Sequence, residues 1–149
     1  MSEFRLEVQE SRSNQSTRYA NGTAAQDRVA SLLDATPHLG RFTQRKAIPT
    51  ISPDGVRYVM PPGGDFIGYL CGGRGCIIEV KYTSEASLEL DLFSQPQRDE
   101  LNTAQITGVC CVAVVLRGPT PQRATVHALP WRVVQIDIDA GNKRISSDT

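Results

Sequence analysis

Hydrophobic residues recur at helical spacing in two parts of the chain. The first stripe consists of Ala25, Val29, Leu32 and Leu33. Asn21 or Thr23 is the expected N-cap of this first helix. The second stripe lies in LFSQPQRDELNTAQITG, where Ser94 is the expected helix start and Pro96 falls in the first turn. The pattern therefore predicts two helices, separated by about sixty residues of different character.

Between and after the helices, the hydrophobic pattern changes to that of strands. DFIGYL and CIIEVKY are joined by the glycine-rich GGRG, which predicts an antiparallel hairpin. VCCVAVVL is continuously apolar, as in a strand buried on both faces. ATVHALPWRVVQIDID is expected to add one or two more strands, and short β-like pieces with an SPDG turn precede the hairpin. This order predicts an α+β fold in which helices flank a mixed β-sheet.

Length and composition indicate a single globular domain. The 149 residues are 40% hydrophobic, enough for a core without metal or disulfide bonds. We expect a flexible polar and basic arm over residues 1–20, the domain over 21–140 and a polar tail over 141–149. No apolar run is long enough to cross a bilayer, and the first residues lack a signal-peptide core. The expectation is a cytoplasmic protein without a membrane partner.

The four cysteines do not form a recognisable zinc motif. Cys110 and Cys111 are adjacent in a predicted strand, so their side chains point to opposite faces of the sheet. Cys71 and Cys76 flank GGRG. Small buried apolar side chains in a reducing compartment are the expected state of these thiols.

The net charge is zero, but basic residues are concentrated in the first third of the chain. This asymmetry is compatible with phosphate contacts and equally with a solvated surface. Arg74, at the tip of the predicted hairpin, is either a solvated turn residue or a group that enters a DNA groove. The basic residues of this segment, which are the candidates for phosphate contacts, are Arg12, Arg18, Arg28, Arg41, Arg45 and Lys46.

Three charged residues interrupt the apolar hairpin. Asp65 begins its first strand and Glu79 lies near the end of the second, so the hairpin folds the two carboxylates together. Lys81 projects to the same face as Glu79. Two carboxylate ligands suit Mg²⁺, which retains several waters, and the ammonium would stabilise negative charge on a phosphate. The set predicts phosphodiester hydrolysis; a surface ion pair between Glu79 and Lys81 is the simpler alternative.

PPGGD followed by IIEVK resembles the PD-(D/E)xK nuclease motif, carried by Asp65, Glu79 and Lys81. LFSQPQ is similar to the helix start of RecU-type Holliday-junction resolvases, with Phe93 and Gln97 at the matching positions. The resemblance implies a restriction-endonuclease-like fold and catalysis by Asp65, Glu79 and Lys81. It also implies Mg²⁺, with Mn²⁺ as a substitute. The implied metal ligands are Asp65, Glu79, Gln97 and the Val80 carbonyl.

The substrate implied by this resemblance is branched DNA, and the basic residues named above are the expected DNA contacts. A homodimer is implied as well, because two symmetric nicks in a four-way junction need two active sites related by a two-fold axis. Such an enzyme would act at the nucleoid, or in the host cytoplasm if a phage encodes it. Other nucleases of the same superfamily (nickase, flap or restriction-type) and a catalytically inactive DNA-binding module are the alternatives.

Two departures from the resolvase pattern concern the metal ligands. Gln26 occupies the position where a glutamate is expected, and Asp27 follows it. Gln26 is therefore a neutral ligand or substrate contact, or Asp27 substitutes, or the role is lost. Gly63 stands where a threonine is common, which leaves only a backbone carbonyl at that position.

Overall fold

The structure, a computed structural model, describes residue 17 and residues 20–45, 48–59 and 64–146. Three α-helices, nine strands and two short 3-10 turns are present in these ranges. The helices are α1 (20–34), α2 (Gln95–Ile106) and α3 (Trp131–Asp139). The strands are β1 (Gly40–Gln44), β2 (Ile48–Ser52), β3 (Gly55–Val59), β4 (Phe66–Leu70), β5 (Gly75–Thr83), β6 (Ser87–Glu89), β7 (Cys110–Arg117), β8 (Thr125–Pro130) and β9 (Arg144–Ser146). The 3-10 turns are Leu90–Leu92 and Pro121–Arg123.

Five strands form the central sheet in the order β1-β4-β5-β7-β8. β5 and β7 are parallel, and the other neighbours are antiparallel. α2 connects β5 to β7, as a parallel pair requires a crossover. β2 pairs with β3, and β6 pairs with β9, in two separate two-stranded sheets. The predicted class, a mixed sheet flanked by helices, is confirmed.

Helices cover both faces of the central strands, which explains why β5 and β7 are so apolar. On one face, Ala25 and Val29 of α1 pack against Ile78 and Val80 of β5. On the other face, residues of α2 and α3 pack against Ile77 and against β7. Residues of a strand alternate between the two faces, so both sets of side chains must be hydrophobic.

The cysteines follow the same alternation. Cys76 is buried on the α1 face, where Cys110 packs beside it in register, whereas Cys111 is buried on the α2 face. The predicted opposite orientation of Cys110 and Cys111 is confirmed. Cys71 is exposed after β4, so the expectation of a buried thiol is wrong for this residue.

Two secondary-structure predictions were wrong. Of the one or two strands predicted over ATVHALPWRVVQIDID, one is present as β8, and the rest of the segment is helix α3, because Trp131 and Val134 are one turn apart and both reach the core. Its β-branched residues suggested a strand, but tertiary packing decides between the two states. The first helix includes residues 20–34, so Asn21 and Thr23 lie within it and do not cap it, and its Leu32 is 43% exposed.

The last described strand lies in the segment predicted as a polar tail. Arg144 of β9 binds Glu85 at 2.7 Å and Glu89 at 2.6 Å, which holds β9 against β6. The described part of the chain contains no helix that is long and apolar enough to cross a membrane.

Candidate active site

The β4–β5 hairpin brings Asp65 and Glu79 together. Phe66 is paired with Ile78, so the next position of the same register places Asp65 opposite Glu79. Gly72 and Gly73 form the turn with positive φ angles of 103° and 91°, which other residues rarely adopt. The convergence of the carboxylates therefore follows from the register of one local hairpin.

Hydrogen bonds fix both oxygens of the Asp65 carboxylate. Oδ2 accepts a bond from the Val80 backbone N–H at 2.7 Å, and Oδ1 accepts one from Gln26 Nε2 at 3.1 Å. The backbone oxygen of Asp65 accepts from the N–H of Arg45 at 2.8 Å. Gly64 precedes Asp65 in a space with no room for a side chain, because a Cβ there would lie 2.7 Å from the Ile78 carbonyl oxygen. The backbone and α1 thus hold Asp65 in one orientation.

Glu79 and Lys81 are linked through Gln97 of α2. Gln97 Nε2 donates to Glu79 Oε1 at 2.8 Å, and Gln97 Oε1 accepts from Lys81 Nζ at 3.2 Å. The Lys81 ammonium also lies 3.5 Å from Glu79 Oε1. The expected common face of Glu79 and Lys81 is present, but Glu79 is only 2% exposed. A solvent-exposed surface ion pair does not describe this arrangement.

The start of α2 determines where Gln97 lies. Ser94 is the N-cap, as predicted, and forms a capping box in which its Oγ accepts from Gln97 N and its N–H donates to Gln97 Oε1. Phe93, immediately before, is buried edge-on against Trp131 and lies under Lys81, whose Nζ is 5.4 Å from the ring centroid. The FSQPQ segment therefore positions Gln97 and the Lys81 ammonium together.

Burial makes both carboxyl groups harder to ionise. The pKa of Glu79 is raised to about 8, first by burial and then by the nearby Asp65 charge, while Lys81 opposes the rise. Burial also raises the pKa of Asp65, although the Val80 N–H bond and Lys81 favour its ionised form. A site that concentrates negative charge in this way is suited to a cation.

The oxygen atoms available for a cation are few. Asp65 and Glu79 supply two carboxylates, and the described residues contain no cluster of three or more Asp, Glu, His or Cys side chains arranged for a metal ion. The Gln97 oxygen faces two donors, Ser94 N–H and Lys81 Nζ, and its amide nitrogen faces Glu79. In this geometry Gln97 orients Glu79 and Lys81, and its role as a metal ligand stays a prediction.

Of the two residues considered near the first helix, Gln26 contacts the site and Asp27 does not. Gln26 donates to Asp65, whereas the Asp27 side chain is exposed. Gln26 follows the buried Ala25 on α1, which brings it to the edge of the packed surface. The sequence could not choose between Gln26 and Asp27, because the contact joins residues 39 positions apart.

The basic residues expected to bind DNA occupy different environments. Arg28 Nη1 donates to the carbonyls of Pro121 and Ala124, and Arg74 Nε donates to the carbonyl of Gly108, so both stabilise the fold. Arg41 is exposed and Arg45 is partly exposed beside Asp65. The positions outside the described residues are Arg12, Arg18, Lys46 and Gly63.

Two features of the site were missed by the sequence analysis. The capping box was detectable from its S-x-x-Q spacing, which couples the helix start to Gln97. The steric role of Gly64 had no sequence signal beyond the glycine itself, because the crowding comes from β5.

Comparison with solved structures gives a similar protein of known fold. The chain is similar to Hjc of Archaeoglobus fulgidus, a Holliday junction resolvase from an archaeal hyperthermophile, with a TM-score of 0.51. The identity is 21%, over 80% of this chain and 85% of that chain. A second structure, the protein SSO0001, has a TM-score of 0.41 at 15% identity, over 91% of this chain and 68% of that chain. No family model and no curated protein matches the chain.

The similarity to Hjc shows the fold. The five-stranded mixed sheet with flanking helices is the restriction-endonuclease-like fold, of the type found in a Holliday-junction-resolving nuclease. The closer assignment to RecU-type resolvases stays a prediction.

Proposed function

We propose that this protein is a metal-dependent endodeoxyribonuclease that cleaves four-way DNA junctions by phosphodiester hydrolysis. The observation that carries the proposal is the convergence of Asp65, Glu79 and Lys81 at the end of one hairpin. Lys81 Nζ lies 3.5 Å from a Glu79 oxygen, and Glu79 and Asp65 are close enough to raise the pKa of Glu79. The fold shared with Hjc, a Holliday junction resolvase, supports the choice of substrate.

The residues at the site fit Mg²⁺, with Mn²⁺ as a substitute. Asp65 and Glu79 are hard oxygen donors in a buried setting where their negative charge is otherwise poorly compensated. The Val80 carbonyl is the proposed third ligand. When bound, Mg²⁺ supplies Lewis-acid stabilisation of phosphate charge and lowers the pKa of a coordinated water. The proposed role of Gln97 is to orient Glu79 and Lys81 by its hydrogen bonds to both.

The residues of the chain have separable roles in this proposal. Asp65 is held by Gln26 and by Val80 N–H, so its carboxylate is already oriented before substrate arrives. Lys81 is positioned by Gln97 and by Phe93, and its ammonium stabilises the charge that develops on the phosphate oxygens as water adds to phosphorus and a bridging P–O bond breaks.

Junction resolution adds a requirement for symmetry. Two nicks placed symmetrically about a four-way junction need two equivalent sites, so we propose a homodimer. The enzyme would act where branched DNA forms, which places it in the cytoplasm with the nucleoid or with phage DNA.

The proposal is tested by comparing substrates. The purified chain is incubated with Mg²⁺ and with end-labelled junction, flap and linear duplex of matched sequence. We expect junction cleavage to dominate and to be lost in Lys81→Met, which keeps the length of the side chain without its charge. Faster cleavage of the flap or the linear duplex would establish another nuclease of this fold.

A catalytically inactive DNA-binding module is the second candidate. It is favoured by Gln26, a neutral side chain in contact with Asp65, and by the presence of only two carboxylates at the site among the described residues. Junction binding without cleavage in either Mg²⁺ or Mn²⁺ would establish it.

A further inference from the structure

On the α2 side of the central sheet, no helix of the described residues covers β4. α2 and α3 pack over β7 and neighbouring strands on that face. β4 lies farther along the sheet, and its Ile67 and Tyr69 are 41% and 52% exposed although they are large apolar or aromatic side chains. On the opposite face of β4, Phe66 is buried and Leu70 packs against the α1 core.

The exposed residues form a continuous path from the site. Alternation along β4 puts Ile67 and Tyr69 on one face, and Asp65 immediately precedes the strand. On β1, Thr43 is paired with Ile67 and Arg41 with Tyr69. We call the surface formed by Arg41, Thr43, Ile67 and Tyr69, together with Arg45, the β1–β4 track.

Arg45 completes the track next to the carboxylates. It follows β1, and its N–H binds the Asp65 backbone oxygen at 2.8 Å. Among the described residues, the side chains of Arg41 and Arg45 make no hydrogen bond or ion pair. Two guanidinium groups without acidic partners in the described part of the chain thus border an aromatic and an aliphatic side chain.

We propose that the β1–β4 track binds one strand of the DNA substrate as it leaves the scissile phosphate, with Tyr69 stacked on a base and Arg41 and Arg45 on phosphates. This inference rests on the proposed nuclease function and adds the path of the strand. Proteins hold single strands of nucleic acid in this way: basic residues follow the phosphate backbone, and aromatic side chains stack on the bases. Bases near the exchange point of a junction can leave their stack, so one is free to meet Tyr69.

The dimensions of the track set the position of the contact. Tyr69 of β4 lies four residues after Asp65, which is ~13 Å of extended chain at ~3.3 Å per residue. Stacked nucleotides rise ~3.4 Å each, so the stacked base lies within about four nucleotides of the cleaved phosphate, and nearer when the strand is extended.

The test measures binding and cleavage separately, with the full-length chain. Fluorescent junction DNA is titrated in Ca²⁺, and cleavage is followed in Mg²⁺. Tyr69→Ala is expected to weaken binding by ~5- to 150-fold, the effect of losing one stacked base, and Tyr69→Phe to rescue it. Arg41→Gln and Arg45→Gln should each reduce the slope of log binding constant against log salt concentration by about one. Arg132→Gln, an exposed arginine on α3, is the control.

A positional probe then locates the strand. 2-Aminopurine is placed at each of the four nucleotides on either side of the scissile phosphate, and its quenching is compared between the wild type and Tyr69→Ala. We expect quenching at one position that disappears in the variant.

The outcomes separate this inference from the proposed function. If the wild type cleaves junctions and the Tyr69 and arginine variants bind as tightly as Arg132→Gln, the track is wrong and the nuclease proposal stands. If Tyr69→Ala binds DNA normally but sediments as a smaller species than the wild type, the surface joins two copies of the chain and the track is again wrong. A wild type that binds no DNA overturns both.

Discussion

The amide of Gln97 connects the two reactive groups of β5: its nitrogen lies 2.8 Å from Glu79 Oε1, while its oxygen lies 3.2 Å from Lys81 Nζ. The same oxygen accepts the Ser94 N–H at 3.0 Å. Reversing the amide would place its NH₂ group against two donors, so this hydrogen-bond network determines its orientation. The first turn of α2 therefore determines the relative position of Glu79 and Lys81.

Gln97→Ala should reduce junction cleavage by ~10- to 100-fold, the usual cost of removing a residue that orients a metal ligand. It should also destabilise α2 by ~1 kcal/mol through loss of the capping box. The measurements are single-turnover cleavage and urea unfolding. Gln95→Ala on the same helix removes an exposed bond to Asp99 and is the matched control. Equal cleavage rates in the two variants would show that Gln97 does not position the site.

The raised pKa of Glu79 predicts a dependence of stability on pH in the metal-free protein. The folded state holds this proton up to about pH 8, whereas the unfolded chain releases it near 4.5. Because the folded pKa is raised, the free energy of unfolding should fall as pH rises from about 4.5 to about 8 and then level off, by on the order of a few kcal/mol.

Glu79→Gln replaces the protonated acid by a neutral amide and should largely remove this fall. Urea unfolding in EDTA across pH 5 to 9 measures the effect. Glu100→Gln, which removes the same formal charge from α2, should keep the wild-type pH dependence. A wild-type curve that matches the Glu79→Gln curve at every pH would contradict the burial of an ionisable Glu79.

Metal binding should stabilise the folded state through the same two carboxylates. At 100 times its dissociation constant, Mg²⁺ or Mn²⁺ is expected to add about 2.7 kcal/mol to the free energy of unfolding. At pH 8, addition of the metal should raise the Tm of the wild type and leave that of Asp65→Asn unchanged. NaCl at equal ionic strength is the control for charge screening. Equal shifts in Asp65→Asn and the wild type would place the metal elsewhere.

Two glycines predict opposite responses to the same substitution. A Cβ at Gly64 would lie 2.7 Å from the Ile78 carbonyl oxygen, so Gly64→Ala should displace Asp65, destabilise the protein by ~1–3 kcal/mol and abolish most cleavage. Gly22 lies in α1, where a Cβ would meet no atom of the described residues within 4 Å, so Gly22→Ala should stabilise by ~0.5–1 kcal/mol. Calorimetry and cleavage assays on both variants check the pair, and normal cleavage by Gly64→Ala would be inconsistent with the described packing.

The hairpin and its three charged residues could be predicted because the information is local. A glycine turn fixes the register, and strand alternation then places Asp65, Glu79 and Lys81. The N-cap at Ser94 was equally local. Contacts between distant segments could not be obtained in this way: the amide of Gln26 reaches Asp65 across 39 residues, and Arg28 reaches Ala124 across 96.

The error at α3 has a related cause. Its β-branched residues have strand propensity, but Trp131 and Val134 reach the core only from a helix that lies on β7. The segment is helical because a helix lets Trp131 and Val134 pack against β7. Burial against a partner that is distant in sequence is not visible in the local pattern.

Mapping the nicks made in a labelled four-way junction by the wild type and by Asp65→Asn in Mg²⁺ tests whether this site cleaves DNA. Asp65 is 7% exposed and its amide analogue has nearly the same shape, so the variant should fold and bind the junction. We expect paired nicks at symmetric positions for the wild type and none for Asp65→Asn. Junction binding by both proteins, with nicks from neither or from both, would contradict this expectation.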